Sequence, residues 1–172
     1  RRRAHEAGMS LAYVNLVGGQ DELVFDGDSL VVDHEGVVLA RGPQFRTAIV
    51  YADLPPDPTI QPSIAARLAD VEEVYQALVC GLRDYVCKNG FSGGLIGLSG
   101  GIDSALTAAI ATDALGPEHV FGVGMPSAYS SEHSVDDAYD LAARTGLSIR
   151  TVAIAPMVDA YQGALDLSGL AE

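Results

Sequence analysis

The sequence predicts an α/β protein whose longer, C-terminal part is a doubly wound parallel sheet, preceded by a shorter strand-rich part. After residue 64, short apolar strands alternate with helical patterns of about ten residues, the grammar of βαβ units. A turn of small residues, Ser99-Gly100-Gly101-Ile102-Asp103-Ser104, stands where the first of those strands gives way to a helix. Open α/β sheets bind ligands at such a place, beyond the carboxyl ends of their strands and near a switch in strand order.

The elements follow in order. Residues 1–51 carry short β-branched runs between Gly and Asp clusters, which are strand and hairpin signals. One strand is expected over 11–17, ending at Gly18-Gly19. A second, Leu30-Val31-Val32, should meet Val37-Val38-Leu39 across the turn 33–36. Asp21, Glu22, Asp26, Asp28 and Asp33 fall at hairpin positions, where such residues make turns rather than acid-base chemistry. Residues 52–63 contain Pro55, Pro56, Pro58 and Pro62, a density that blocks both helix and central strand, so an extended linker and a domain boundary belong there.

The second part opens with a helix. Leu68, Val71, Val74, Tyr75, Leu78, Val79, Leu82, Tyr85 and Val86 recur at three- and four-residue spacing, and Asn89-Gly90 is a stop signal. There follow a strand at 95–98, a helix from about 104 to 115, a strand at 120–125, a serine-rich loop, a helix from about 134 to 145 and a strand at 148–154.

Composition narrows the function. An apolar content of 48% with 19% charged residues is that of a chain able to bury a core. A net charge of −13, with 10 Lys and Arg in total, argues against binding nucleic acid. The basic run Arg1-Arg2-Arg3 reads as the end of a solvated helix, because no apolar stretch follows it as in a targeting signal. No run approaches the roughly 18 apolar residues of a membrane helix, so a soluble, cytoplasmic protein is expected. Cys80 and Cys87 lie roughly 10 Å apart along a helix of 1.5 Å rise, beyond disulfide reach, and read as small hydrophobes on a half-buried face. His133 suits the residue before a helix start. His5, His34 and His119 sit in turn-like or terminal contexts and are given no role.

The chemistry concentrates after the first strand of the second part. Gly100 and Gly101 remove side chains, so backbone N–H groups can converge on an anion, and the following helix adds the positive end of its dipole. The hydroxyls of Ser99 and Ser104 can donate to phosphate oxygens. A carboxylate at Asp103 would repel phosphate unless a cation lay between them, which makes it a candidate Mg²⁺ ligand. The loop is neither a Walker A motif, which needs its Lys, nor G-x-G-x-x-G. A turn in which Asp103 or Ser104 merely caps the helix stays open.

SGGIDS after an apolar strand resembles the pyrophosphate loop of the N-type ATP pyrophosphatases. The segments VYQALVCGLRDYVCKNGF (74–91) and MPSAYSSEHSVDDAYDLAARTG (125–146) resemble NAD synthetase, and YVNLVGGQDELVFDGDSLVVD (13–33) is similar to the nitrilase-type glutaminase domain fused in front of it. The resemblance covers nearly the whole chain. It implies residues 1–51 as the C-terminal part of a nitrilase-like α/β sandwich glutaminase, 52–63 as linker, and 64–172 as the first half of a doubly wound ATP pyrophosphatase domain. It also implies ATP-dependent amidation of deamido-NAD with glutamine-derived ammonia.

ATP would be held by Gly97, Leu98, Ser99, Gly100, Gly101, Ile102, Asp103 and Ser104 at the loop. Met125, Ser127, Ser130 and Ser131 would serve at the end of the second strand, and Asp103 would hold Mg²⁺. Such a glutaminase uses a Cys, a Lys and a Glu upstream of the segment resembling 13–33. No Cys precedes that segment here, so none of this triad is expected in the chain. A fragment of a larger enzyme, inactive alone and homo-oligomeric in its parent, is the expectation. Another ATP pyrophosphatase such as GMP synthetase, or a noncatalytic nucleotide-binding module, remains the alternative.

Overall fold

The computed structural model describes residues 1–57, 59, 61–126 and 132–165. Its chain divides into two compact units, Arg1–Tyr85 and Val86–Glu172. Both mix helix and strand, and the second is built on a parallel sheet.

The first unit begins with α1 (Arg2–Ala7), so the arginine run lies at the start of a short helix rather than at its end. Then come β1 (Leu11–Tyr13), β2 (Val17–Gln20), β3 (Leu23–Asp26), β4 (Leu30–Val32) and β5 (Val38–Arg41). Strands β1, β4 and β5 form one antiparallel sheet in the order β1-β4-β5, and β2 pairs with β3 as a separate hairpin.

The single strand expected over 11–17 is therefore two strands, broken at Asn15. That side chain accepts a hydrogen bond from the Leu16 N–H at 2.9 Å and donates to Asp26 at 3.0 Å, which turns the backbone away from the first sheet. Gly18 and Gly19 lie inside β2 instead of ending a strand. A Cβ on Gly19 would stand 3.0 Å from the Cα of Gly81, and the Gly19 N–H donates to Asp84 at 2.9 Å, so a helix lies close against this strand. A glycine inside a strand often marks such a close approach of backbone.

Asp21, Asp28 and Asp33 behave as turn formers, whereas Asp26 is the last residue of β3 and pairs with Val17. Asp21 and Asp28 hold positive φ angles of 53° and 48°, and Asp33 accepts the N–H groups of Glu35 and Val37 between β4 and β5. Asp28 also ties distant parts of the unit together: Arg41 lies 3.0 Å from its carboxylate and Arg67 3.7 Å, while Arg67 reaches Glu73 at 3.3 Å. The Arg41–Asp28 contact is an attraction between charges rather than a well-angled hydrogen bond, since neither atom gains a hydrogen-bond partner.

From Gln44 to the next helix the described residues form no helix and no strand beyond isolated bridges at Gln44 and Ile64. Within this stretch the Asp57 carboxyl is held below its usual range, first by the Thr59 hydroxyl and then by the Thr59 N–H.

Helix α2 (Asp70–Lys88) forms where the spacing predicts a helix, although Leu68 precedes it and Val71, Val74, Leu78 and Tyr85 of the periodic set are exposed. Asp70, Glu72 and Glu73 stand in its first turn, where the dipole favours anions. It ends on Gly90 at φ 73°, with Gly90 N–H donating to Cys87 C=O and Phe91 N–H to Val86 C=O. That pair of bonds is a Schellman cap, and it explains the stop signal. Of the two cysteines on α2, both free, Cys80 is buried and Cys87 exposed, so the small-hydrophobe reading holds for Cys80 alone.

The second unit runs β6 (Gly94–Leu98), α3 (Ile102–Leu115), a 3-10 turn at Pro117–His119, β7 (Val120–Gly124), α4 (Glu132–Thr145), β8 (Ser148–Thr151) and α5 (Ala155–Leu165). The strands are parallel in the order β6-β7-β8, in register from Gly94 opposite Val120 and from Phe121 opposite Ser148. Helix α3 packs on β6 and β7, and α4 on β7 and β8.

Small residues make this packing close. Ala108, Ala111 and Ala114 of α3 and Ala138 and Ala142 of α4 are buried, while a Cβ on Gly122 would stand 2.5 Å from Leu98 and 3.1 Å from Leu147. Sequential strand order places no switch point among the described strands, and β6, the strand that carries the Gly-Gly turn, stands at one edge of them. No helix among the described residues is long and apolar enough to cross a membrane.

Candidate functional site

The β6–α3 turn is built by two glycines with different tasks. Gly100 takes φ 79°, a left-handed conformation that favours glycine. A Cβ there would also stand 2.6 Å from the Cα and 2.7 Å from the carbonyl carbon of Ser134 on α4, so no side chain fits between the loop and that backbone. Gly101 is the N-cap of α3, extended at φ −83° and ψ 160°. As a glycine it brings no side-chain acceptor to the first helical N–H groups, those of Ile102, Asp103 and Ser104, which have no partner inside the helix.

The helix starts two residues before the expected Ser104, and neither Asp103 nor Ser104 is its N-cap. The reading of the turn as a simple side-chain cap is thereby removed. Instead the two serine hydroxyls brace the loop. Ser104 Oγ donates to the Gly101 C=O at 3.0 Å and accepts the Ser99 N–H at 3.3 Å, while Ser99 Oγ accepts the Gly101 N–H at 3.2 Å.

The two oxygens lie 3.1 Å apart, and because the Ser104 proton is committed to Gly101, Ser99 is the donor between them. The hydroxyls are thus already engaged. An anion at the loop is met first by backbone N–H groups and by the helix dipole, and the Ser99 proton can be redirected to it by exchanging one bond.

Asp103 is exposed on the first turn of α3. No group of three or more His, Cys, Asp or Glu side chains is placed for a metal ion among the described residues. One carboxylate beside an anion loop nevertheless fits Mg²⁺, which commonly takes one or two carboxylates and completes its shell with water and substrate phosphate oxygens.

On the far side of Ser99 lies a cleft of about 110 Å³ at the carboxyl ends of the strands, lined in part by Leu98, Met125, Pro126, Tyr139, Ile149 and Thr151. Met125 is half exposed, and its methyl group would lie 3.1 Å from a Cβ on Gly97, so the glycine at 97 leaves the methionine its place. Leu98 is buried beneath the cleft.

The structure therefore brings Leu98, Ser99 and Met125 to the cleft, sets Gly97 beneath the Met125 methyl, and gathers Gly100, Gly101, Ile102, Asp103 and Ser104 at the turn. Ser127, Ser130 and Ser131 lie outside the described residues. His133 falls inside the first turn of α4 rather than before it. Tyr139 and Thr151, joined by a hydrogen bond of 2.7 Å, were not singled out from the sequence. Thr151 at a strand's carboxyl end carried a positional signal, whereas Tyr139 carried none, because its neighbour is set by the packing of α4 on β8.

The NAD synthase family model matches residues 74–169, more than half of the chain and including the whole turn. The chain belongs to the NAD synthase family. It is 46% identical over 165 residues to the glutamine-dependent NAD(+) synthetase of Synechocystis sp., covering 94% of this chain and 30% of that protein. Against the enzyme of the same description from Rhodobacter capsulatus the identity is 47% over 167 residues, again 30% of the relative. The chain thus spans about 30% of the length of the curated relatives it matches.

Among solved structures of this family, the glutamine-dependent NAD+ synthetase from Acinetobacter baumannii, in complex with adenosine diphosphate, superposes with a TM-score of 0.86 at 40% identity over 95% of this chain and 32% of that one. The NH3-dependent NAD synthetase from Campylobacter jejuni gives a TM-score of 0.52 at 31% identity, over 56% of this chain and 42% of that one.

Proposed function

We propose that the chain carries the ATP-binding loop of a glutamine-dependent NAD synthetase, an enzyme that amidates deamido-NAD to NAD with ammonia drawn from glutamine. The observation that carries the reading is the β6–α3 turn: side-chain-free N–H groups, an exposed carboxylate at Asp103 and an apolar cleft, inside a segment matching the NAD synthase family.

The chemistry explains why such a loop is needed. A carboxylate becomes an acyl donor only when one of its oxygens is turned into part of a good leaving group. Attack of the nicotinate carboxylate on the α-phosphorus of ATP forms an acyl adenylate and releases pyrophosphate. Ammonia then adds at the acyl carbon and AMP departs. Negative charge grows on the departing pyrophosphate, and fixed donors aimed at that charge stabilise the transition state without reorganising.

The N–H groups of Ile102, Asp103 and Ser104 supply those donors, with Ser99 able to add its hydroxyl. Asp103 would hold Mg²⁺, which would neutralise phosphate charge. Met125 and the cleft beside it would take the adenine, and Ser127, Ser130 and Ser131 would reach ribose or phosphate oxygens.

Residues 1–51 are assigned to the end of a nitrilase-like glutaminase domain, 52–63 to the linker and 64–172 to the beginning of the synthetase domain. Support comes from relatives described as glutamine-dependent, which match 94% or more of the chain although the family model begins at residue 74. The enzyme is expected to act as a homo-oligomer in the cytoplasm.

Exchange of labelled pyrophosphate into ATP tests the adenylate. In the natural gene product, with deamido-NAD present and both glutamine and ammonia withheld, the label should enter ATP. Exchange that proceeds equally without deamido-NAD would refute the reading.

A further inference from the structure

We infer that Tyr139 and Thr151 form the polar wall of the pocket for the nucleoside end of the bound nucleotide, and that their hydroxyl pair is a positioning contact for it. The inference rests on the nucleotide reading above and extends it to two residues.

Tyr139 stands on α4, one turn after Val135, and Thr151 is the last residue of β8. Their oxygens are 2.7 Å apart, and both residues line the cleft that also touches Ser99 of the phosphate loop. Two hydroxyls carry two protons. Their mutual bond uses one, leaving one O–H donor and free lone pairs for a third group. Both side chains are solvent-accessible, and Tyr139 is 44% exposed, so that capacity faces open space rather than packed protein.

Ser99 and Ser134 also line the cleft, and the rest of the wall is mainly apolar, with Leu98, Met125 and Ile149 prominent. A mainly apolar slot with hydroxyl groups at its edges suits a flat ring with hydrogen-bonding atoms on its rim. At about 110 Å³ the cleft is too small for a whole nucleotide, for which pockets of about 300 Å³ or more are usual, and has room for one ring system. Ser99 belongs both to the cleft lining and to the loop, so a ligand with its ring in the cleft can extend its phosphates along the loop towards the start of α3.

The hydroxyl pair also joins α4 to β8, so a purely structural role must be separated from a binding one. Inorganic pyrophosphate makes the separation, since it can occupy the loop without entering the cleft. Calorimetric titration of the natural gene product with ADP and with pyrophosphate, both with Mg²⁺, should be compared for wild type, Tyr139→Phe and Thr151→Val.

Each variant should bind ADP roughly three- to tenfold more weakly, as for loss of one hydrogen bond, with pyrophosphate affinity unchanged. The double variant should lose less than the product of the two single losses, because the hydroxyls act as a pair. Unchanged ADP affinity in both variants would overturn the inference, as would an equal loss for pyrophosphate. If one variant fails to fold, the other decides. A wild-type protein that binds neither ligand would overturn the nucleotide reading together with this inference, whereas wild-type binding with indifferent variants overturns the inference alone.

Discussion

Replacing Gly100 by alanine should damage the protein through two separable effects. The residue holds φ 79°, and an L-residue in the left-handed region costs about 1–2 kcal/mol. The new methyl group would also stand 2.6 Å from Ser134 Cα and 2.7 Å from its carbonyl carbon, well inside the ~3.5–4.0 Å at which carbon atoms attract. These neighbours are backbone and cannot rotate away, so the loop or α4 must shift by about 1 Å, with an overpacking cost of about 1–3 kcal/mol. Together the two effects come to about 2–5 kcal/mol.

Gly90→Ala is the matched control. Gly90 has a similar φ of 73°, but a Cβ there meets nothing within 4 Å, so it carries the conformational cost alone. Urea unfolding of the two variants should show the Gly100→Ala midpoint lower than that of Gly90→Ala, and lower than wild type by at least ~1 M for a slope of about 2 kcal/mol per molar. Pyrophosphate exchange should fall about a hundredfold in Gly100→Ala, as expected when a catalytic loop is displaced by about 1 Å. Equal midpoints for the two variants would refute the claim that the loop is pinned against α4.

Two further outcomes follow from single side chains. Cys80 is 1% exposed and Cys87 is exposed, so Cys80→Ser should cost about 1–3 kcal/mol in unfolding experiments through a buried hydroxyl, while Cys87→Ser should stay within about 0.5 kcal/mol. For Asp103→Asn, the gain in ADP affinity on adding Mg²⁺ should shrink by about fivefold, the worth of one pair of charges in water, and affinity in EDTA should not fall, because a charge that repels phosphate has been removed.

Local signals carried the features that depend on local causes. The periodicity of α2, its glycine stop, the turn between β4 and β5 and the alternation of strand and helix after residue 94 were all legible, because each is set by side-chain spacing or by one backbone angle. Gly18-Gly19 misled, since paired glycines read as a strand end, whereas here both lie inside β2 and Gly19 admits the helix that carries Gly81 and Asp84. The start of α3 was placed two residues late because Gly101, an N-cap with no side chain, leaves no capping signal.

Helix α5 went unrecognised. It buries none of its residues among the elements described, and Pro156 at its start and Gly163 within it obscure the helical spacing of Met157, Val158, Tyr161 and Leu165. At the site, the loop was visible as a motif, while the Tyr139–Thr151 pair depends on a contact between elements that sequence spacing does not encode.

The central claim is that nucleotide held at the β6–α3 loop activates a carboxylate as its adenylate. Following an ¹⁸O label from the carboxylate of deamido-NAD tests this most directly. Attack on the α-phosphorus leaves a carboxylate oxygen bridging to AMP, so the account predicts NAD formation with one label atom in AMP and none in pyrophosphate. Label appearing in inorganic phosphate, or AMP formed without it, would contradict the account.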